Sequence, residues 1–142
     1  MDFIAEFKGP YRFLSNFYPA RINYLGIMFD TTEHAFQAAK ACTRADAIRI
    51  ASIIKPGDAK RAGKKLELLR PDWEQVKELV MLDVLRLKFQ HPDLRRKLLE
   101  TGTAHLQEGN TWDDTYWGVC DGQGLNRLGV LLMKVRDEVR HG

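Results

Sequence analysis

Residues 72–89 read DWEQVKELVMLDVLRLKF, and this stretch decides the fold class. Asp72 is placed to cap a helix, and Gln75, three positions on, completes the pattern of a capping box. Trp73, Val76, Leu79, Val80, Leu82, Val84, Leu85, Leu87 and Phe89 follow, covering more than one stripe of an α-helix. An apolar face that wide predicts a central, largely buried helix.

Working outward, His91-Pro92 stops this helix, and Asp93–Glu100 predicts a shorter one that ends near Gly102. A long loop is expected from Gly102 to Gly124, after which Leu128, Leu131, Leu132 and Val135 resume helical spacing. Toward the N-terminus, Thr31 or Thr32 can cap a helix running through about Cys42. A second helix is expected over Ala45–Ile54, stopped by Pro56-Gly57. Residues 2–30 are aromatic-rich and broken by Gly9, Pro10, Pro19 and Gly26; Ala20–Tyr24 and Ile27–Phe29, either side of Leu25-Gly26, predict a short hairpin. With no repeat, low-complexity tract or linker, the expectation is one α+β domain over residues 1–142. It is predominantly helical, with a small antiparallel β element near the N-terminus.

Composition narrows the function classes. The chain has 142 residues, with 22 basic against 19 acidic, a formal +3 that does not identify an obligate binder of nucleic-acid backbones. Hydrophobic residues at 44% and charged residues at 29% fit a folded globular protein rather than a disordered one. No apolar run approaches the ~20 residues that span a bilayer. The start, Met-Asp-Phe-Ile-Ala-Glu-Phe, lacks the layout of a secretory signal, so a cytoplasmic protein without a membrane partner is expected. Cys42 and Cys120 are too few for a disulfide framework or a four-ligand zinc site. His34 has no second His or Cys at ligand spacing, and His91, His105 and His141 are scattered singly, so no metal is expected. Neither a Rossmann fingerprint nor a P-loop is present, and no cofactor is expected.

Three constellations carry chemistry. Arg12-Phe13-Leu14-Ser15-Asn16-Phe17-Tyr18-Pro19 sets three aromatics around one amide. It reads either as an aromatic minicore with a turn-forming Asn16 or as a flat wall with one directional hydrogen-bonding group, suited to a base or sugar. In Thr32-Glu33-His34-Ala35-Phe36-Gln37-Ala38-Ala39-Lys40, Glu33, Gln37 and Lys40 share one helical face. Glu33 lies in the first turn, where the helix macrodipole favours its ionised form, and it could serve as general base or nucleophile while Lys40 meets a phosphate. A solvated helix face is the plainer alternative. The loop Glu108–Gly118, followed by Gly122–Gly129, sets Trp112, Tyr116 and Trp117 among acids and glycines. Such rings stack on bases or sugars, and glycines let backbone N–H groups approach phosphates; a loop tucked down by its aromatics explains the pattern equally. Between these, Lys55–Arg70 carries Lys55, Lys60, Arg61, Lys64, Lys65 and Arg70 against Asp58 and Glu67, either a solvated face or a source of anion contacts.

The order and spacing of these blocks are specific. Phe-Leu-Ser-Asn-Phe-Tyr-Pro, Thr-Glu-His-Ala-Phe-Gln-Ala-Ala-Lys, Asp72-Trp73 with Met81 and Lys88-Phe89, Asp114-x-x-Trp117-Gly118, and Gly124-x-Asn126-x-Leu128-Gly129-x-x-Leu132-Met133-x-x-Arg136 together resemble the NADAR (YbiA-like) family. The resemblance runs from about Phe7 to Arg136 and implies an N-glycosidase acting on phosphorylated ribosyl compounds. The implied partners are early riboflavin-pathway ribosylamino-pyrimidine phosphates or, in other members, ADP-ribosylated guanine in nucleic acid. It also implies Glu33, Trp73 and Asp114 as catalytic. Arg12, Phe13, Asn16, Phe17, Gln37, Lys40, Trp117, Gly118, Gly124 and Asn126 are implied at the substrate. The adjacent Asp113 departs from the plainer family loop, and alignment to Trp117-Gly118 selects Asp114.

The chemistry of C–N cleavage agrees in kind, because a carboxylate beside the anomeric carbon stabilises developing positive charge or activates the attacking group. Glu33 with Asp114 is the pair the sequence offers. A non-catalytic ADP-ribose or nucleotide reader using the same residues is the alternative, and calorimetric binding without product would favour it.

Overall fold

The computed structural model describes residues 3–142; Met1 and Asp2, which open the segment read above for a leader, lie outside it. Six α-helices, one 3-10 helix and four short strands make up the described chain, consistent with the predominantly helical α+β class. Two compact units are formed, one by Asn16–Lys88 and the other by Phe89–Gly142 with the N-terminal stretch up to Ser15. β1 (Phe3–Ile4) and the 3-10 helix Gly9–Leu14 belong to the second of these. In the first lie β2 (Ile22–Tyr24), β3 (Ile27–Phe29), α1 (Thr32–Ala38), α2 (Arg44–Ala51), α3 (Pro56–Lys64) and α4 (Trp73–Lys88). The remaining elements are α5 (Pro92–Glu100), β4 (His105–Leu106) and α6 (Arg127–His141).

The 16–88 unit is organised around α1, which packs on α2, α3 and α4 and is buried at every position. The Thr31 side chain caps it by accepting the His34 N–H at 3.1 Å. It ends at Ala38 rather than near Cys42, because the chain turns at Lys40 and Ala41 bridges to Leu69. β2 and β3 form the expected antiparallel hairpin in register Ile22↔Phe29 and Tyr24↔Ile27. Pro56-Gly57 does not merely stop α2: Pro56 opens α3, since a helix's first position needs no backbone N–H. The basic stretch from Lys55 is therefore largely helical.

α4 matches the quoted sequence, but it is not buried all round. Val80, Met81, Leu82, Val84 and Leu85 are buried, whereas Leu79 is exposed. Nor does the capping box form as expected. The Asp72 carboxylate takes two hydrogen bonds from the Arg70 guanidinium at 2.7 and 3.0 Å, and its backbone carbonyl instead accepts Gln75 and Val76 N–H.

In the other unit β1 pairs in parallel with β4, Phe3 opposite His105 and Ile4 opposite Leu106, a pairing that neither two-residue segment announces. α6 packs on α5 and on β4. Gly129 permits this approach: a Cβ there would sit 2.1 Å from the Leu106 carbonyl oxygen. The expected loop 102–124 also carries order, through β4 and bridges between Gly109 and Val119 and between Cys120 and Gln123. No helix among the described residues is long and apolar enough to cross a membrane.

Candidate active site

Glu33 sits in the first turn of α1, only 7% exposed. Its backbone N–H donates to the Asn16 carbonyl at 3.1 Å, and Thr32 Oγ1 donates to Asn16 Oδ1 at 2.8 Å, so Asn16 ties the start of α1 to the aromatic segment before it. Asn16 Nδ2 then reaches Met81 Sδ at 3.5 Å, linking that junction to α4.

One turn further along α1, Gln37 Nε2 donates to Glu33 Oε2 at 2.5 Å. Gln37 is 4% exposed, and its Oε1 is buried without a hydrogen-bond partner among the described residues. Burial raises the Glu33 carboxyl above its usual range; the Gln37 bond and the charges of Lys60 and Lys40 pull the other way without reversing it. Lys40 is shifted in the mirror sense. Desolvation lowers it, Glu33 and Glu74 raise it, and Lys64 and Lys60 lower it further.

Trp73 opens α4 and meets Phe36 of α1 with ring centroids 5.0 Å apart at 59°, an aromatic contact worth about 0.5–1.5 kcal/mol beyond the area buried. Lys40 Nζ lies 5.8 Å from the Phe36 centroid and 5.9 Å from that of Trp73. A carboxyl, an amide, an ammonium and two aromatic rings thus occupy one stretch of the unit. Phe17, 41% exposed, places Cε2 3.9 Å from where a Cβ on Gly57 would stand, at the start of α3.

His34 is accounted for by the core. Thr31 Oγ1 accepts the His34 backbone N–H, so its hydroxyl hydrogen is directed to Nδ1 at 2.7 Å. Nε2 then carries the ring proton and donates it to the Ile53 carbonyl at 2.8 Å. Among the described residues no cluster of three or more His, Cys, Asp and Glu side chains is gathered as for a metal ion.

Seven of the expected residues lie in the other unit. Arg12 is exposed on the 3-10 helix, while Phe13 is buried beneath Lys97, whose Nζ is 5.9 Å from the ring centroid. Asp114 is half-buried, and its Oδ1 accepts the N–H groups of Tyr116 at 3.1 Å and Trp117 at 2.9 Å. Asn110 grips the Asp114 backbone on both sides, donating Nδ2 to its carbonyl and accepting its N–H. Trp117 meets Tyr116 edge to face at 4.9 Å. Asn126, at φ 53°, spends its amide on the backbone: Nδ2 donates to the Leu106 carbonyl and Oδ1 accepts the Glu108 N–H. A Cβ on Gly118 would stand 2.3 Å from the Glu108 carbonyl oxygen, and one on Gly124 2.1 Å from that of Gly118. Asn126, Gly118 and Gly124 thus build the loop through close backbone packing.

Three residues outside the expected set shape the surroundings of Glu33, Gln37 and Lys40. Lys60 and Lys64 were visible only as part of a basic run, and Gly63 carried no signal. A Cβ on Gly63 would lie 2.0 Å from Gln37 Oε1, so α3 presses its backbone against that amide.

The NADAR domain model matches residues 2–140. The N-glycosidase YbiA of Escherichia coli is 43% identical over 128 residues, covering 88% of this chain and 79% of that protein. An N-glycosidase of Nostoc punctiforme is 38% identical over 138 residues, covering 93% and 88%. A riboflavin biosynthesis protein of Vibrio vulnificus is 36% identical over 135 residues, of which the chain spans only 35% of the length. The NMR structure of E. coli YbiA superposes with a TM-score of 0.87 at 39% identity, covering 99% of this chain and 87% of that one. The expected resemblance and fold are both met, and the chain belongs to the NADAR domain family.

Proposed function

We propose that this protein is an N-glycosidase that hydrolyses the C–N bond between ribose and a base in a phosphorylated ribosyl compound. The observation that carries the reading is Glu33, a buried carboxyl bonded by Gln37 and neighboured by the Lys40 ammonium and the Phe36–Trp73 rings. The N-glycosidase names of relatives at 38–43% identity support it.

Cleavage forms a bond from water oxygen to the anomeric carbon while the C–N bond breaks and the base leaves with a proton. Ionised Glu33 stabilises positive charge as it develops on the sugar, or takes the proton of the attacking water. Burial strengthens that interaction by lowering the local dielectric and raises the basicity of the carboxylate. Trp73 stacks on the substrate or shields the site from water, with Phe17 and Asn16 toward the base or ribose. Lys40 supplies a cation for the phosphate. Asp114 is carried as a catalytic residue on the family motif, as are Arg12, Phe13, Trp117, Gly118, Gly124 and Asn126 at the substrate. A cytoplasmic setting and a single-domain organisation complete the reading.

Side-by-side turnover tests it. The protein is incubated with ribosylamino-pyrimidine phosphates and with ADP-ribosylated guanine, as mononucleotide and within an oligonucleotide, and released base is measured by chromatography. Release from one class assigns the substrate. Binding without release from either replaces the enzyme by a nucleotide-binding module.

A further inference from the structure

The loop that carries Asp114 is held by one side chain. Asn110 Nδ2 donates to the Asp114 carbonyl at 2.9 Å and Oδ1 accepts the Asp114 N–H at 3.1 Å, so a single amide closes on both backbone groups of one residue. Nδ2 also reaches Glu108 Oε2 at 3.2 Å, and these acceptors fix which end of the amide donates. Asn110 is itself anchored: its N–H donates to the Val119 carbonyl, and the Val119 N–H to the Glu108 carbonyl, both at 2.9 Å. Between the two ends of the clamp Thr111, Trp112 and Asp113 are exposed. Asp113 takes φ 66°, a left-handed conformation that costs energy outside glycine and is held here between two fixed points.

The Asp114 carboxylate is used unevenly. Oδ1 accepts the N–H groups of Tyr116 and Trp117, whereas Oδ2 takes no hydrogen bond from the described residues. An asparagine or serine side chain accepts such local backbone bonds as well, so the turn alone does not call for a carboxylate. One oxygen is spent on fixing the group's orientation. The other, on a half-buried side chain, is left for a donor from outside the protein. Asp113 is exposed and shares none of these bonds.

We propose that Asn110 is the positioning residue for Asp114: it clamps the Asp114 backbone while the Tyr116 and Trp117 N–H groups hold Oδ1, and so presents Oδ2 to a ribose hydroxyl of the substrate. This rests on the glycosidase reading for the identity of the ligand, but the clamp is read on binding as well as on turnover. Asn110 touches no substrate in this arrangement and acts through Asp114 alone.

The test is a double-variant cycle on the full chain: wild type, Asn110→Ala, Asp114→Asn and the two together, read by base release and by calorimetric titration of ribose 5-phosphate. Asn110→Ala is expected to lower both kcat/KM and ribose 5-phosphate affinity by about tenfold, the size of one or two net hydrogen bonds. In the Asp114→Asn background the same change is expected to cost less than about threefold, because the oxygen that the clamp presents has been replaced by an amide N–H. Where Asn110→Ala does not fold, Asn110→Ser, which keeps an acceptor at this position, takes its place in the cycle. A role confined to shaping the loop makes the two losses multiply. That outcome overturns the proposal, as does wild-type turnover and affinity in folded Asn110→Ala or in Asp114→Asn. If the wild type binds ribose 5-phosphate but releases base from neither substrate class, the enzyme reading alone is rejected and the cycle on affinity decides the clamp. Absence of both binding and turnover rejects the two together.

Discussion

Replacing Gly63 by alanine tests whether the Glu33 carboxyl depends on the helix behind it. The new Cβ would stand 2.0 Å from Gln37 Oε1, 2.8 Å from its Cδ and 3.1 Å from its Cβ. All three atoms belong to one side chain on packed α1, so the amide must move rather than swing its far end alone. Gly63 is inside a helix, where alanine is intrinsically better by about 0.8–1 kcal/mol. Overpacking costs about 1–3 kcal/mol, leaving a net loss of stability between about nothing and 2 kcal/mol. The larger effect falls on activity. A displaced Gln37 loses its bond to Glu33, and a hydrogen bond to a charged group is worth about 1.5–3 kcal/mol. If that bond is fully expressed in the transition state, kcat/KM falls by about 10- to 150-fold, mostly through kcat. The assay is steady-state base release for wild type, Gly63→Ala, Gln37→Ala and the double variant, with thermal melts alongside. Because Gly63 acts through Gln37, the double variant should match Gln37→Ala, with little further loss. Wild-type kcat/KM for Gly63→Ala in a folded protein would refute the reasoning.

Further outcomes follow from the same geometry. With ionised Glu33 and protonated Lys40 as the active pair, the pH profile of kcat/KM is a narrowed bell. Its acid limb lies above the ordinary 4.5 of a glutamate because burial raises Glu33, and its alkaline limb lies below 10.5 because burial lowers Lys40. Asp114→Ala removes the acceptor for two backbone N–H groups and costs about 1–3 kcal/mol in denaturant unfolding. Asp114→Asn keeps an oxygen acceptor and most of the stability. Loss of activity in Asp114→Asn assigns a role to its charge, whereas full activity restricts it to shaping the loop. Lys88 is wholly buried on α4, and burial alone lowers it to about 7. The unfolded chain therefore binds the extra proton between about 7 and 10.5, and wild-type stability rises with pH across that window. Chemical denaturation of Lys88→Met should lack that rise.

Much of the fold is legible in local pattern. Thr31 before an apolar run gives α1, the two short runs around Leu25-Gly26 give the hairpin, and the apolar residues after Trp73 give α4. What escapes is set by partners distant in sequence or by substitutes near at hand. The β1–β4 pairing joins Ile4 to Leu106, and two residues carry no readable period. Arg70 diverts the Asp72 carboxylate from its expected cap because a bidentate guanidinium is a stronger partner than a backbone N–H. Pro56 reads as a stop and is equally a start, which is why α3 stays hidden.

The site divides in the same way. Glu33, Gln37 and Lys40 are visible because one helix spaces them along one face, and Asn16 because it sits alone among aromatics. Gly63 is invisible, since its contribution is the absence of a side chain where Gln37 needs room. Lys60 and Lys64, whose charges act on Lys40, stand out from the basic run only once that run is placed on a helix. In the loop, Asn126 and Gly118 are as well explained by backbone packing as by a ligand, and only substitution separates the two.

The most direct measurement is turnover by Glu33→Gln, which keeps the shape of the side chain and an acceptor for Gln37 while removing the titratable charge. Base release is expected to fall by about 10²–10⁴-fold, the range for a positioned proton-transfer group. Ribose 5-phosphate affinity should remain within a few-fold of wild type. Activity within about tenfold of wild type, in protein that is folded and binds ligand, would remove Glu33 from the chemistry and the central claim with it.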